Sequence, residues 1–204
     1  MNPMFSQELQ DFLNLISPRS KYVMVTNPFN VVPLSVALAK RFVVEENKGL
    51  LYICSGRPHI FPQKLFQRWE IPLKKIYFMD IVLYMKGSTR GEKNPPIKTD
   101  KGIIQIPRVY RLFRVDQEAD GLNMSEVDLI IIDNLTEFLH FNTLEEAERF
   151  VDSISEPASD LMKGLIVILL KTEGHRQAAE ALKKKGFVEV TVPPELFTPS
   201  SLGP

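Results

Sequence analysis

Two short runs carry the residues whose types and spacing could do chemistry. Tyr22-Val23-Met24-Val25-Thr26 leads into Asn27-Pro28-Phe29-Asn30-Val31-Val32-Pro33-Leu34, the pattern of a strand, a short loop and a helix start. A loop in that place cradles phosphate when glycines let successive amides point inward and a Lys followed by Ser or Thr meets the phosphates and Mg²⁺. This loop has no glycine, its two prolines offer no amide hydrogen, and Val31-Val32 stand where charge and hydroxyl are required. Much later, Val127-Asp128-Leu129-Ile130-Ile131-Ile132-Asp133-Asn134 is an aliphatic strand that closes on an acid. The layout for phosphate chemistry is present and its reagents are not.

The elements that must position these runs follow from periodicity. Met1 to Ser17 reads as a helix capped by Ser6, with Leu9, Phe12, Leu13 and Ile16 as its apolar stripe and Pro18 as its stop. Pro33 suits the first turn of a helix running to about Val44. Leu50 to Ser55 is a buried strand, Gly56-Arg57-Pro58 turns the chain, and a helix with Phe61, Leu65, Phe66 and Trp69 follows. Ile76 to Asp80 is a third strand. Ile81 to Met85 and Gly102 to Ile106 could pair as a hairpin around an exposed 86–101 loop, while Arg108 to Leu122 is open between helix and irregular structure.

The last third is clearer. Leu129 to Asp133 is a strand, and Thr143 with Glu146 forms a capping box for a helix near Leu144 to Ser155. Leu165 to Leu170 is another apolar strand, His175 to Lys185 is amphipathic and stops at Gly186, and Phe187 to Val192 is the final strand. Uninterrupted apolar strands alternating with amphipathic helices predict an α/β fold, a mostly parallel sheet in three α/β/α layers. Residues 1–192 are expected to form one domain with an insertion at 86–101, and 193–204 a terminal tail.

Composition narrows the function classes. With 44% hydrophobic and 25% charged residues the chain has the balance of a water-soluble globular protein. No apolar run approaches the roughly 18 residues of a membrane span, and Glu8 and Asp11 stand where a secretory signal would be basic and then apolar. One cysteine excludes an intrachain disulfide framework, so a reducing cytoplasm is expected. Cys54, His59, His140 and His175 have no metal-ligand spacing, and Cys54 sits in an apolar strand as a packed thiol. No structural zinc is expected.

Net charge is zero but unevenly placed. Arg57 to Arg114 holds 13 Lys/Arg against 4 Asp/Glu, and Val115 to Met162 holds 1 Arg against 13 acids. Two solvated faces that partly neutralise each other account for this; a dipolar surface that pairs with another copy or draws an anionic partner is the alternative. Lys183-Lys184-Lys185 closes a helix, where positive charge suits the dipole without any partner.

With both runs placed, Tyr22 to Val192 resembles the RecA-like P-loop NTPase core, particularly its archaeal relatives of the circadian-clock ATPase. It also resembles a small group of hyperthermophilic archaeal proteins of unassigned role. The resemblance puts Asn27 to Pro33 in the phosphate-loop place, degenerate as described, and Leu129 to Asp133 in the Walker B place. The acid that would activate water just past the second strand is replaced by Ser55-Gly56-Arg57. Asp133 would hold Mg²⁺ through water if nucleotide binding is retained; otherwise it is expected to be a well-solvated acid capping the next turn.

In that fold Asn27, Asn30, Ser55, Arg57, Asp80, Asp133 and Asn134 would converge on the crevice beyond the strand C-termini. The plain alternative is that they are polar because the chain turns there. Phe29, Val31 and Val32 would form an exposed apolar contact patch. Phosphoryl transfer depends on positioning and charge stabilisation, and the loop has lost both. The leading expectation is a non-catalytic, cofactor-free domain that binds a protein partner or itself. An atypical nucleotide-binding protein or ATPase is the alternative, and so, less favoured, is a nucleic-acid binder using the basic 57–114 block.

Overall fold

The computed structural model describes residues 6–80 and 124–197. The expected hairpin, the 86–101 loop, the ambiguous 108–122 stretch and residues 198–204 lie outside the described residues. In chain order the regular elements are α1 (Gln7–Asn14), β1 (Lys21–Thr26), α2 (Val31–Ala39), β2 (Leu50–Cys54), α3 (Ile60–Arg68) and β3 (Ile76–Asp80). Then come β4 (Leu129–Asp133), α4 (Leu135–Leu139), α5 (Leu144–Asp160), β5 (Gly164–Leu170), α6 (His175–Lys184) and β6 (Val188–Thr191).

The six strands form one sheet in the order β3-β2-β4-β5-β1-β6. Every neighbouring pair is parallel, so β1 and β4 are separated by β5. All residues of β2, β4 and β5 are buried, as the uninterrupted aliphatic runs require when helices cover both faces. Strand alternation divides the core in two. Met24, Leu50, Tyr52, Cys54, Leu129, Ile131, Ile166 and Ile168 pack with α1, α2 and α3. Val23, Val25, Leu51, Ile53, Ile130, Ile132, Leu165 and Val167 pack with α4, α5 and α6. These are the three expected layers.

Local signals act as their chemistry dictates. Ser6 Oγ accepts from the Leu9 amide and begins α1. Thr143 and Glu146 exchange reciprocal bonds, Thr143 N to Glu146 Oε2 at 2.8 Å and Glu146 N to Thr143 Oγ1 at 3.2 Å. α2 starts at Val31, two residues before Pro33, and passes through a π-helical stretch at Lys40–Glu45. α5 runs on through Pro157 to Asp160, beyond the expected stop at Ser155. Gly186, at φ 83°, makes the left-handed exit from α6.

The lysines that close α6 are paired within the chain: Lys183 with Glu180 and Glu189, and Lys185 with Glu148 and Asp152, the last at 2.7 Å. α5 and α6 pack side by side, which brings the acids of one within reach of the lysines that close the other. Just beyond β6, Pro194–Phe197 is a 3₁₀ turn, and Leu196 is buried in the core beside α1 and α2.

Gly164 opens β5 where the chain passes Pro18 closely. A Cβ there would sit 2.2 Å from the Pro18 carbonyl oxygen and 3.0 Å from a Leu129 methyl. The Gly164→Ala variant is therefore expected to lose about 1–3 kcal/mol by overpacking against backbone that cannot rotate away. A urea denaturation curve with an unchanged midpoint would show that the approach is looser than described.

Candidate functional site

The ends of β2 and β4 are tied together before any site is formed. In register Cys54 lies beside Asp133. Ser55, the next residue, places its hydroxyl against the Asp133 carbonyl oxygen and 3.0 Å from that of Asn134. Asn134 then takes φ 65°, ψ 70°, a left-handed conformation that asparagine tolerates better than most residues. The chain turns directly into α4. That short helix is held to the sheet by Thr136, whose Oγ1 accepts from the Leu170 amide at 2.8 Å.

This turn leaves Asp133 on the α2–α3 side of the sheet, at the wall of a cleft of about 300 Å³. α2 contributes Val31, Val32 and Ser35, and α3 contributes Phe61, Pro62 and Leu65. Pro28, Tyr52, Gly56, Arg57, Asn134, Glu137 and Leu170 complete the lining. The walls are mostly apolar, and the charged groups are two carboxyls, Asp133 and Glu137, and one guanidinium, Arg57.

Asp133 is only 8% exposed, as is Asn134. Asp133 Oδ1 and Asn134 Oδ1 are both buried without a hydrogen-bond partner among the described residues. Buried polar atoms are nearly always satisfied, so two orphan acceptors on one cleft wall call for a donor. Burial pushes the Asp133 carboxyl up to about 6; the Tyr52 hydroxyl and the Arg57 charge act in the opposite sense, and Glu137 adds to the rise. The Tyr52 hydroxyl lies 2.9 Å from Ser35 Oγ and also hydrogen-bonds the Asp133 carboxyl, while Asp133 Oδ1 stays without a partner. Burial also drives the Tyr52 phenol well above its usual range, so it stays neutral. The solvated, turn-capping acid expected at 133 is thus replaced by a buried one with an unsatisfied oxygen.

The structure gathers Arg57, Asp133 and Asn134 of the expected crevice residues. Ser55 is buried behind them as a clamp on the turn. Asn27 Oδ1 accepts from the Asn30 amide at 3.0 Å and shapes the loop, and Asn30 Nδ2 donates to the Pro194 carbonyl at 3.3 Å and ties the loop to the segment after β6. The backbone of Asp80 ends β3 beside Cys54, on the far side of β2 from Asp133. Of the expected apolar patch, Phe29 is 89% exposed, whereas Val31 is buried and Val32 half-buried, because α2 begins at Val31 and draws both into the cleft wall. Tyr52, Phe61, Leu65 and Glu137 were missed as lining. The i, i+3, i+4 spacing of Leu135, Phe138 and Leu139 signalled α4 and hence Glu137. Only the topology could reveal the others. Among the described residues no group of three or more His, Cys, Asp or Glu could hold a metal ion, and no helix is long and apolar enough to cross a membrane.

No protein-family profile and no curated protein matches the chain. Solved structures do share its fold. It is similar to a KaiC-like protein from the hyperthermophilic archaeon Pyrococcus horikoshii OT3, with TM-score 0.50 and 6% identity, over 76% of this chain and 62% of that one. It is also similar to an uncharacterised Pyrococcus horikoshii protein solved in complex with an unknown peptide, with TM-score 0.65 and 12% identity, over 92% of this chain and 82% of that one. The class thus defined is a mixed α/β fold with a six-stranded parallel sheet flanked by helices, distantly similar in structure to KaiC-like archaeal proteins.

The Asp133 carboxyl gives a pH-dependent prediction. Its folded-state value, about 6, lies above the ordinary 3.8, so the folded protein holds the proton more tightly than the unfolded chain. Stability is highest when both states are protonated, falls as pH rises between those values, and levels off above about 6. The deficit at pH 7 is roughly 3 kcal/mol, from about two pKa units at 1.36 kcal/mol each. Asp133→Asn is expected to match the parent protein near pH 3.5 and to exceed it by that order at pH 7–8. Chemical denaturation at both pH values decides the matter; a gain independent of pH would mean that the carboxyl is satisfied when ionised.

Proposed function

We propose that this chain is a non-hydrolysing RecA-like domain with a degenerate phosphate loop, acting as an interaction or regulatory module that takes a segment of a protein partner in the cleft. The observation that carries this reading is the chemistry of the turn before α2. Pro28 has no amide hydrogen, the Asn30 amide is bound by Asn27, and Val31 and Val32 face the cleft. A polyphosphate would find apolar walls and two carboxyls opposed by one arginine. Size favours the same conclusion, because about 300 Å³ is at the lower end for small-molecule sites and suits a side chain better than a nucleotide.

Phe61 in the cleft wall is 58% exposed, and Ile60 beside it and Phe29, next to the cleft residue Pro28, are exposed too, which supplies apolar surface for a longer partner segment. The similar Pyrococcus horikoshii protein solved with a peptide makes such an occupant reasonable for this fold. A nucleotide held through Mg²⁺ on Asp133 has the carboxyl in its favour and no phosphate-binding amides or lysine to go with it.

Calorimetric titration with Mg²⁺-ATP and Mg²⁺-ADP is expected to show no binding at millimolar ligand. Peptides selected by display on the whole chain are expected to lose binding when Val32→Glu places a charge at the cleft. Micromolar nucleotide binding weakened by Asp133→Asn, or selected peptides indifferent to Val32→Glu, would overturn the proposal.

A further inference from the structure

The cleft also indicates which kind of residue it receives. Its orphan atoms are acceptors: Asp133 Oδ1 and Asn134 Oδ1, both on side chains more than nine-tenths buried and both in the cleft lining. With Asp133 ionised, the lining charges are Asp133 and Glu137 against Arg57, a net charge of −1. Asn134 Nδ2 is turned toward Glu137 Oε1 at 3.4 Å, which leaves the amide oxygen as the free end. Pro28, Val31, Val32, Phe61 and Leu65 supply an apolar sleeve.

An occupant that satisfies this set needs a long aliphatic stem, a head made only of donors, and one positive charge. Lysine and arginine side chains are built that way, burying the stem and presenting N–H groups at the tip. Water could satisfy the oxygens but would leave the sleeve and the charge without a counterpart. A phosphate or carboxylate has the wrong sign and no donors.

We propose that the cleft recognises the cationic side chain of a lysine or arginine in a partner protein segment, with its head at the Asp133 carboxylate and the Asn134 side chain and its stem along the α2 and α3 walls. This rests on the reading of the cleft as a protein-segment site. Glu137, half-buried and paired at 3.5 Å with His140, sits at the rim as a second carboxylate facing the same charge. Arg57 is exposed and keeps the net charge at one unit, which selects one basic residue over a cluster.

Amide NMR of the full chain at pH 7.5 tests this with two probes, acetyl-Leu-Lys-Leu-amide and its norleucine counterpart, which keeps the stem and removes the charge. The lysine peptide is expected to shift the Gly56, Arg57, Asp133 and Asn134 amides and to bind about tenfold or more tightly than the norleucine peptide. Asp133→Asn, checked for folding by its thermal melt, is expected to abolish that preference. If both peptides bind equally at the cleft, the cation assignment falls and the protein-segment reading stands. If neither moves those amides the assignment falls as well, and shifts there with Mg²⁺-ATP instead would remove both readings together.

Discussion

Covering on both faces the parallel sheet that the described residues form is the constraint on which the rest of this structure depends. Inside β2, β4 and β5 every residue is buried, and each strand is paired on both sides. Apart from Tyr52, whose hydroxyl meets Ser35 Oγ, the side chains there are apolar, so charged and amide groups are pushed to the last rung and the turn beyond it. Thr26, Ser55, Asp133 and Asn134 are all buried polar residues at that one end of the sheet. Three of them have a side-chain oxygen without a partner among the described residues: Thr26 Oγ1, Asp133 Oδ1 and Asn134 Oδ1. The sheet's interior is fully satisfied and its carboxyl edge is not, and that imbalance locates the site.

The energetics of the edge depend on how tightly the turn after β4 is fixed. Ser55 clamps the Asp133 and Asn134 carbonyls, Asn134 adopts the left-handed conformation, and Thr136 anchors α4 to the end of β5. With backbone held at three points, the Asp133 side chain cannot swing to solvent to relieve its burial. Its raised pKa follows directly. A carboxyl kept near neutrality at the cost of stability is typical of positions where function sets the side chain, although structural networks can do the same.

Most of the fold was legible because it is written in periodicity. The aliphatic runs at Leu50, Leu129 and Leu165 gave their strands to within a residue, and Ser6, Thr143 and Gly186 marked helix ends through local chemistry that needs no tertiary context. The site was legible only in part. Arg57, Asp133 and Asn134 could be placed together because strand ends of a parallel sheet share an edge. Burial could not be read: Asp133 looked like a solvated strand-end acid, and only the packing of α2 and α3 over it reverses that. Pro33 does lie in the first turn of α2, but the helix begins at Val31, so Val31 and Val32 belong to its wall and not to an exposed loop. Proline is accepted throughout the first turn, so its position does not fix the first helical residue.

The same strand, turn and helix can therefore serve opposite electrostatics with few changes. A phosphate site at the first strand needs free amides and a cation, each hydrogen bond to a charged group contributing roughly 1.5–3 kcal/mol. In this chain the proline removes one amide, Asn27 occupies another, and valines replace the charged and hydroxyl residues. Without such donors, and with Asp133 and Glu137 set against Arg57, a crevice lined in this way carries a net negative charge once Asp133 is ionised. Affinity must then come from burying apolar surface, at about 25 cal/mol per Å², and from one well-placed donor group on the orphan oxygens. In this geometry the residues that make the turn a poor phosphate cradle are the same ones that give the cleft its apolar wall.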